Sequence, residues 1–258
     1  MPALPATRAP RLRLVLVLGL AAVVAVLALV PYLKVLMPQR LAAIPLPLPL
    51  VAAAQALQAG VLCAALAWLG LWSGERYGLS APWLRAWVYR QPWPEAGHRW
   101  RPACALGVAA ALAVLVVDAL YHGARLSLAS PQLDLAWRGA LASFYGGIVE
   151  EVLCRLFLVS LLVWLLARIG GGARPWMFAV AIVLAALIFG ASHLPAAFAS
   201  GTPHELRAIA RIVALNMIVG VPLGWLFWKH GLEHAMLAHF SADLVLHVAA
   251  PLLGLALA

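Results

Sequence analysis

Residues 133–166 constrain the fold more than any other stretch. The run is apolar apart from Asp134, Trp137-Arg138, a few hydroxyl-bearing residues and a knot of charge at Glu150, Glu151 and Arg155, and it exceeds the roughly 20 residues that a helix needs to cross a bilayer. Inside hydrocarbon no water satisfies the backbone, so a spanning segment is either a helix or a strand of a closed barrel. Barrel strands alternate polar and apolar residues with a period of two, and no such alternation appears here. Further apolar runs cover 12–30, 50–72, 103–120, 175–193, 206–228 and 232–248. With 65% hydrophobic and only 10% charged residues, against roughly a quarter charged in soluble domains, the chain cannot fold as a soluble globule. The expected fold is all-α: a polytopic membrane helical bundle with seven or eight transmembrane helices. The eighth exists only if the central run is split or the tail past Pro251 adds one.

Prolines and glycines set the expected breaks. Pro31, Pro38 and the Pro45-Leu46-Pro47-Leu48-Pro49 repeat should end the first helix and form an extended connector. Residues 195–203 read as a loop, and Gly220, Pro222 and Gly224 as an interruption of the sixth span. Gly146-Gly147 leaves two outcomes: one long tilted helix, or a break that sets the glutamates near the start of its second half. The longest polar stretch, about 73–102, is too short to bury a core alone. The chain therefore divides into residues 1–102, a two-helix membrane region with an Arg/Trp loop, and residues 103–258, a membrane core.

The net charge of +9 would suggest nucleic acid in a soluble protein. Here the arginines flank the spans, where they set topology and meet lipid headgroups, so the expected partners are membrane lipids and no nucleic acid. Arg76, Arg85, Arg90, Arg99 and Arg101 lie among Trp83, Trp87, Trp93 and Trp100, the mark of a cytoplasmic loop resting on the headgroups. Arg8, Arg11 and Arg13 agree, placing the N-terminus in the cytoplasm. The run after them is longer than a signal-peptide core and no cleavage site follows, so it reads as a first span. A bacterial bias in composition makes the location a cell inner membrane, with multiple passes. Cys63, Cys104 and Cys154 all lie in apolar runs without paired spacing, which supports neither disulfides nor a thiolate metal site.

Charged groups in a bilayer core are costly, and they usually face the bundle interior, pair, and mark function. Glu151 and Arg155 are four residues apart, on one face of a helix, so one carboxylate is compensated and the other is left over, in the setting of a general acid or base. Two more polar clusters sit in apolar runs: Ser192-His193 closing the fifth span, and His239 with Asp243 one helical turn later in the last. Carboxylates and histidines from three separate spans point to a site. Asp118, near the end of the third span, reads as an interface or capping residue. His230, Glu233 and His234, at the start of the last span, read as interfacial.

Glu150-Glu151-x-x-x-Arg155, Phe189-x-x-x-His193 and His239-x-x-x-Asp243 resemble, in order and spacing, the three motifs of the CPBP intramembrane proteases. That family includes the type II CAAX prenyl endopeptidases and bacterial proteins linked to bacteriocin immunity. The resemblance implies a protease in which Glu150, with His193, polarises a water. It further implies that Glu151 pairs with Arg155 or assists, and that His239 and Asp243 orient the substrate carbonyl and stabilise its oxyanion. Cys154 stands where an aromatic often precedes the motif arginine, and Leu156 where a small residue often follows. The family has been described both as metalloproteases and as metal-free glutamate proteases. Zinc would suit two histidines and a glutamate, but the His-Glu-x-x-His spacing is missing, so the expectation is no cofactor. The implied activity is cleavage of a membrane-tethered peptide or protein near the membrane surface, as in removal of a C-terminal segment or sorting tag. The competing reading is a non-catalytic transporter or immunity scaffold, with the same charges in a buried ion-pair network.

Overall fold

A computed structural model describes residues 10–95, 98–122 and 130–255. Residues 1–9, which carry Arg8, and most of the polar turn between the third and fourth spans lie outside these. Among the described residues there is no strand, and seven helices are long and apolar enough to cross a membrane. The chain is a multi-pass membrane protein. Its spans are α1 (Leu12–Leu36), α2 (Leu48–Gly74), α4 (Trp100–Tyr121), α5 (Leu133–Ile169), α6 (Pro175–Ser192), α8 (Leu206–His230) and α9 (Leu232–Leu252); the short helices α3 (Pro82–Tyr89) and α7 (Leu194–Ala199) lie between spans.

Several expected breaks are instead helical. Pro31 lies inside α1, which runs on to Leu36; lacking an N–H, it forfeits one bond to the carbonyl four residues earlier, a loss tolerated in membrane helices. Pro222 is likewise carried inside a continuous α8. Of the expected connector, Pro38–Ala42 makes one helical turn, and Pro49 sits in the first turn of α2, where a missing N–H costs nothing. Pro195 does the same for α7, within the expected loop.

The Gly146-Gly147 pair does not break α5. The helix runs through it and widens, with π-type turns over Tyr145–Glu150 and Val152–Val159, a form frequent at functional sites. The glycines have another use. A Cβ on Gly146 would strike Asp243 and come within 3.1 Å of His239 Nε2, and one on Gly147 would crowd Phe240 and the Met236 carbonyl. Together they let α5 and α9 approach closely, in the manner of small residues at membrane helix contacts.

The same device recurs elsewhere. Gly107 of α4 faces the Ala238 backbone of α9, and Gly70 of α2 faces the Leu156 carbonyl of α5. Leu156, the bulk that departs from the motif pattern, is itself fully buried. Around these contacts α1 packs on α2 and the first half of α5, α6 on α8, and α9 on α4 and the widened part of α5. Asp118 is not interfacial: it is buried and ion-paired with Arg211 of α8.

Gly107→Val would press a branched side chain onto backbone next to His239. Overpacking of this kind costs about 1–3 kcal/mol, and thermal unfolding in detergent should show the corresponding fall in Tm.

Candidate active site

The charged residues of α5 and α9 meet in the middle of the bundle. Glu151 is fully buried and lies between two cations or potential cations. Arg155 Nη1 stands 2.8 Å from its Oε1, and His239 Nδ1 donates to the same oxygen at 2.6 Å. Arg155 is held in turn by the Gly220 carbonyl, which accepts from Nη2 at 3.2 Å, and its guanidinium lies 5.5 Å from the centre of the Phe189 ring. Arg155, Glu151 and His239 thus form a buried ladder that ties α5 to α9, with α6 and α8 bracing the arginine.

Glu150 occupies the other side of His239. Its side chain keeps 20% exposure, and its Oε2 lies 3.7 Å from His239 Nε2. Asp243 Oδ1 is 3.6 Å from the same nitrogen. Since a carboxylate only accepts, the Nδ1 bond to Glu151 fixes one proton of His239 and leaves Nε2 turned toward Glu150 and Asp243. The left-over carboxylate expected from the one-turn spacing is therefore Glu150.

His193 approaches from α6. Its Nδ1 donates to the Phe189 carbonyl at 2.9 Å, and its ring packs edge-on against Phe189 at 4.6 Å. A carbonyl cannot donate, so Nδ1 carries the proton and Nε2 is the free acceptor of the neutral ring. Ser192 donates to the same carbonyl at 2.6 Å, which occupies it as a local hydrogen-bonder.

Glu150, His193, His239 and Asp243 all line one cavity of about 550 Å³, in the size range of ligand sites. Glu151 and Arg155 lie behind its wall. Five polar residues that sequence reasoning missed also line it: Tyr32 of α1, Tyr145 of α5, Ser200 just beyond α7, Asn216 of α8 and His247 of α9. The Tyr32 hydroxyl and His247 Nδ1 are 3.2 Å apart, and His247 Nε2 is 4.0 Å from Asp243 Oδ1. His247 was legible in principle, since it follows Asp243 by four residues as Asp243 follows His239. Tyr32 carried no signal: only the packing of α1 against α5 and α9 brings it there.

Among the described residues no three histidine, cysteine, aspartate or glutamate side chains are grouped to hold an ion.

The two adjacent glutamates should separate cleanly in stability. Glu151→Ala strands Arg155 as an uncompensated buried charge, a loss of about 3–5 kcal/mol. Glu150→Gln keeps shape at a partly exposed position and should leave the Tm in detergent unchanged.

Compared with known proteins, residues 131–245 match the family described as type II CAAX prenyl endopeptidase, Rce1-like. No curated protein and no solved structure matches the chain.

Proposed function

We propose that this membrane protein is an intramembrane endopeptidase using a Glu150-activated water; the match of residues 131–245 to the Rce1-like type II CAAX prenyl endopeptidase family, a protease family, supports the reading. The observation that carries the reading is a partly exposed carboxylate, Glu150, sharing a membrane-depth cavity with His193 and His239. A water in that cavity gives a proton to Glu150, with His193 Nε2 accepting a second hydrogen bond, and its oxygen attacks the substrate carbonyl carbon. His239, as the imidazolium, donates from Nε2 to the oxyanion of the tetrahedral intermediate. Glu150 then returns the proton to the amide nitrogen, the C–N bond breaks, and a carboxylic acid and an amine leave, the acid passing its proton on to the amine.

In this account Glu151 and Arg155 are positioning residues: they fix the ring of His239 without touching substrate. Asp243 faces Nε2 from 3.6 Å, and the hydrogen-bonded pair of Tyr32 and His247 lies beyond it, with His247 Nε2 4.0 Å from its Oδ1. The substrate is a membrane-tethered peptide or protein that loses a C-terminal segment or sorting tag. The support for tethering is the wall of the cavity, where Leu29, Leu33, Leu36, Ala196 and Ala197 accompany the polar groups and suit an apolar segment beside the scissile bond.

The test uses purified wild type and Glu150→Gln on a panel of membrane-tethered C-terminal peptides, with and without chelator. Expected is wild-type cleavage that the chelator leaves intact and that the substitution lowers on the order of 10²–10⁴-fold. Equal cleavage by both proteins would remove Glu150 as the base. Tyr32→Phe deletes one hydrogen bond of about 1 kcal/mol, so thermal unfolding in detergent should show a small fall in Tm.

A further inference from the structure

The two ends of this bundle differ in charge and in closure, and the difference bears on where the substrate comes from. Successive spans run up and down, so residues 10–11, 75–99, 170–174 and 231 share one end, and 37–47, 130–132 and 193–205 share the other. Hydrogen bonds across the ends agree. At the first, Arg11 and Arg85 both pair with Glu75, and Leu232 N–H donates to the Ser80 carbonyl. At the second, Gln132 N–H donates to the Pro251 carbonyl and Arg138 to that of Pro31.

Basic residues gather at the first end. Its loop carries Arg76, Arg85, Arg90 and Arg99; Arg11 precedes α1 and Arg13 lies in its first turn, Arg101 lies in the first turn of α4, Arg168 and Arg174 flank the next turn, and Lys229 lies in the last turn of α8. The second end has Lys34, Arg40, Arg138, Arg207 and Arg211, with Arg125 in the sequence between α4 and α5. By the excess of lysine and arginine on the cytoplasmic side of short loops, the first end is cytoplasmic.

That end is also sealed over the site-bearing helix. Glu233 of α9 accepts from the Leu84 N–H at 2.7 Å, His234 accepts from the Arg99 N–H at 3.2 Å, and Trp100 stacks on His234 at 4.3 Å. His234 is 1% exposed, so it and its neighbour are not interfacial: they lie beneath the Arg/Trp segment as the anchor of a plug. The cavity extends the opposite way. From Glu150 and Val219 its wall runs to Met37, past the end of α1, and to Ser200, just beyond α7, both at the less basic end.

We propose that the cavity opens on the extracytoplasmic face, and that its substrate is an exported, membrane-tethered segment that enters past Met37 and Ser200. This rests on the endopeptidase reading. The substrate class follows from closure: a cytoplasmic tail meets the tryptophan plug, whereas a tail across the membrane meets the mouth. No lysine or arginine lines the cavity, so the segment at the cut is apolar or polar without needing an acidic partner.

Two measurements test it. Ser200→Cys, Gln39→Cys and Arg90→Cys, at exposed positions, are treated in intact spheroplasts with a membrane-impermeant maleimide, with wild type as the background. Ser200→Cys and Gln39→Cys should label as fully before lysis as after, and Arg90→Cys only after lysis; the reverse pattern overturns the proposal. Wild type is then given two tethered substrates differing only in the side that carries the scissile segment. Cleavage confined to the exported segment supports the proposal, and cleavage of the cytoplasmic one overturns it. Labelling as expected with neither substrate cleaved keeps the orientation but overturns the endopeptidase reading, and with it the substrate class.

Discussion

The buried ladder of Arg155, Glu151 and His239 is the interaction on which the rest of the site depends. A guanidinium and a carboxylate at bilayer depth are expensive unless each meets a partner, and here they meet at 2.8 Å with the imidazole closing the chain at 2.6 Å. Because Glu151 accepts the Nδ1 hydrogen bond, Nε2 of His239 is aimed at the cavity. Because Arg155 pairs with Glu151, it is not committed to Glu150. Two glutamates adjacent in sequence thereby receive different work from one geometric fact.

The ladder closes only where helices come unusually near. Gly146, Gly147 and Gly107 remove the side chains that would hold α5 and α4 away from α9, and the widened turns of α5 coincide with the motif residues. Seen this way, the stretch from Gly146 to Arg155 is one device: small residues for approach, then a pair of carboxylates whose neighbours are set by that approach, then the arginine that stabilises one of them.

Much of this was legible in the sequence because bilayer physics is a strong filter. Uninterrupted apolar runs announce spans and charges within them draw attention, so seven of the seven or eight expected spans were readable, and the polar clusters with their resemblance to family motifs singled out Glu150, His193, His239 and Asp243, which line one cavity. Prolines misled, because Pro31 and Pro222 cost a membrane helix one hydrogen bond while neighbouring helices keep it in place, and Pro49 and Pro195 fall in first turns where nothing is lost. Asp118 and His234 misled for a related reason: nearness to a helix end in sequence says little about depth once another segment folds over that end. Tyr32 was invisible, since its place in the site comes from tertiary packing of a helix more than a hundred residues away from the glutamates.

The central claim is that Glu150 activates water while His239, held by Glu151, receives the oxyanion. An experimental structure with a phosphonate analogue of a peptide the protein cleaves would test it most directly, since the tetrahedral phosphorus mimics the intermediate. One phosphonate oxygen should lie within hydrogen-bond distance of Glu150 and another about 2.7–3.1 Å from His239 Nε2, with the ladder to Arg155 intact. An analogue bound elsewhere, or with its oxygens turned away from both residues, would contradict the account.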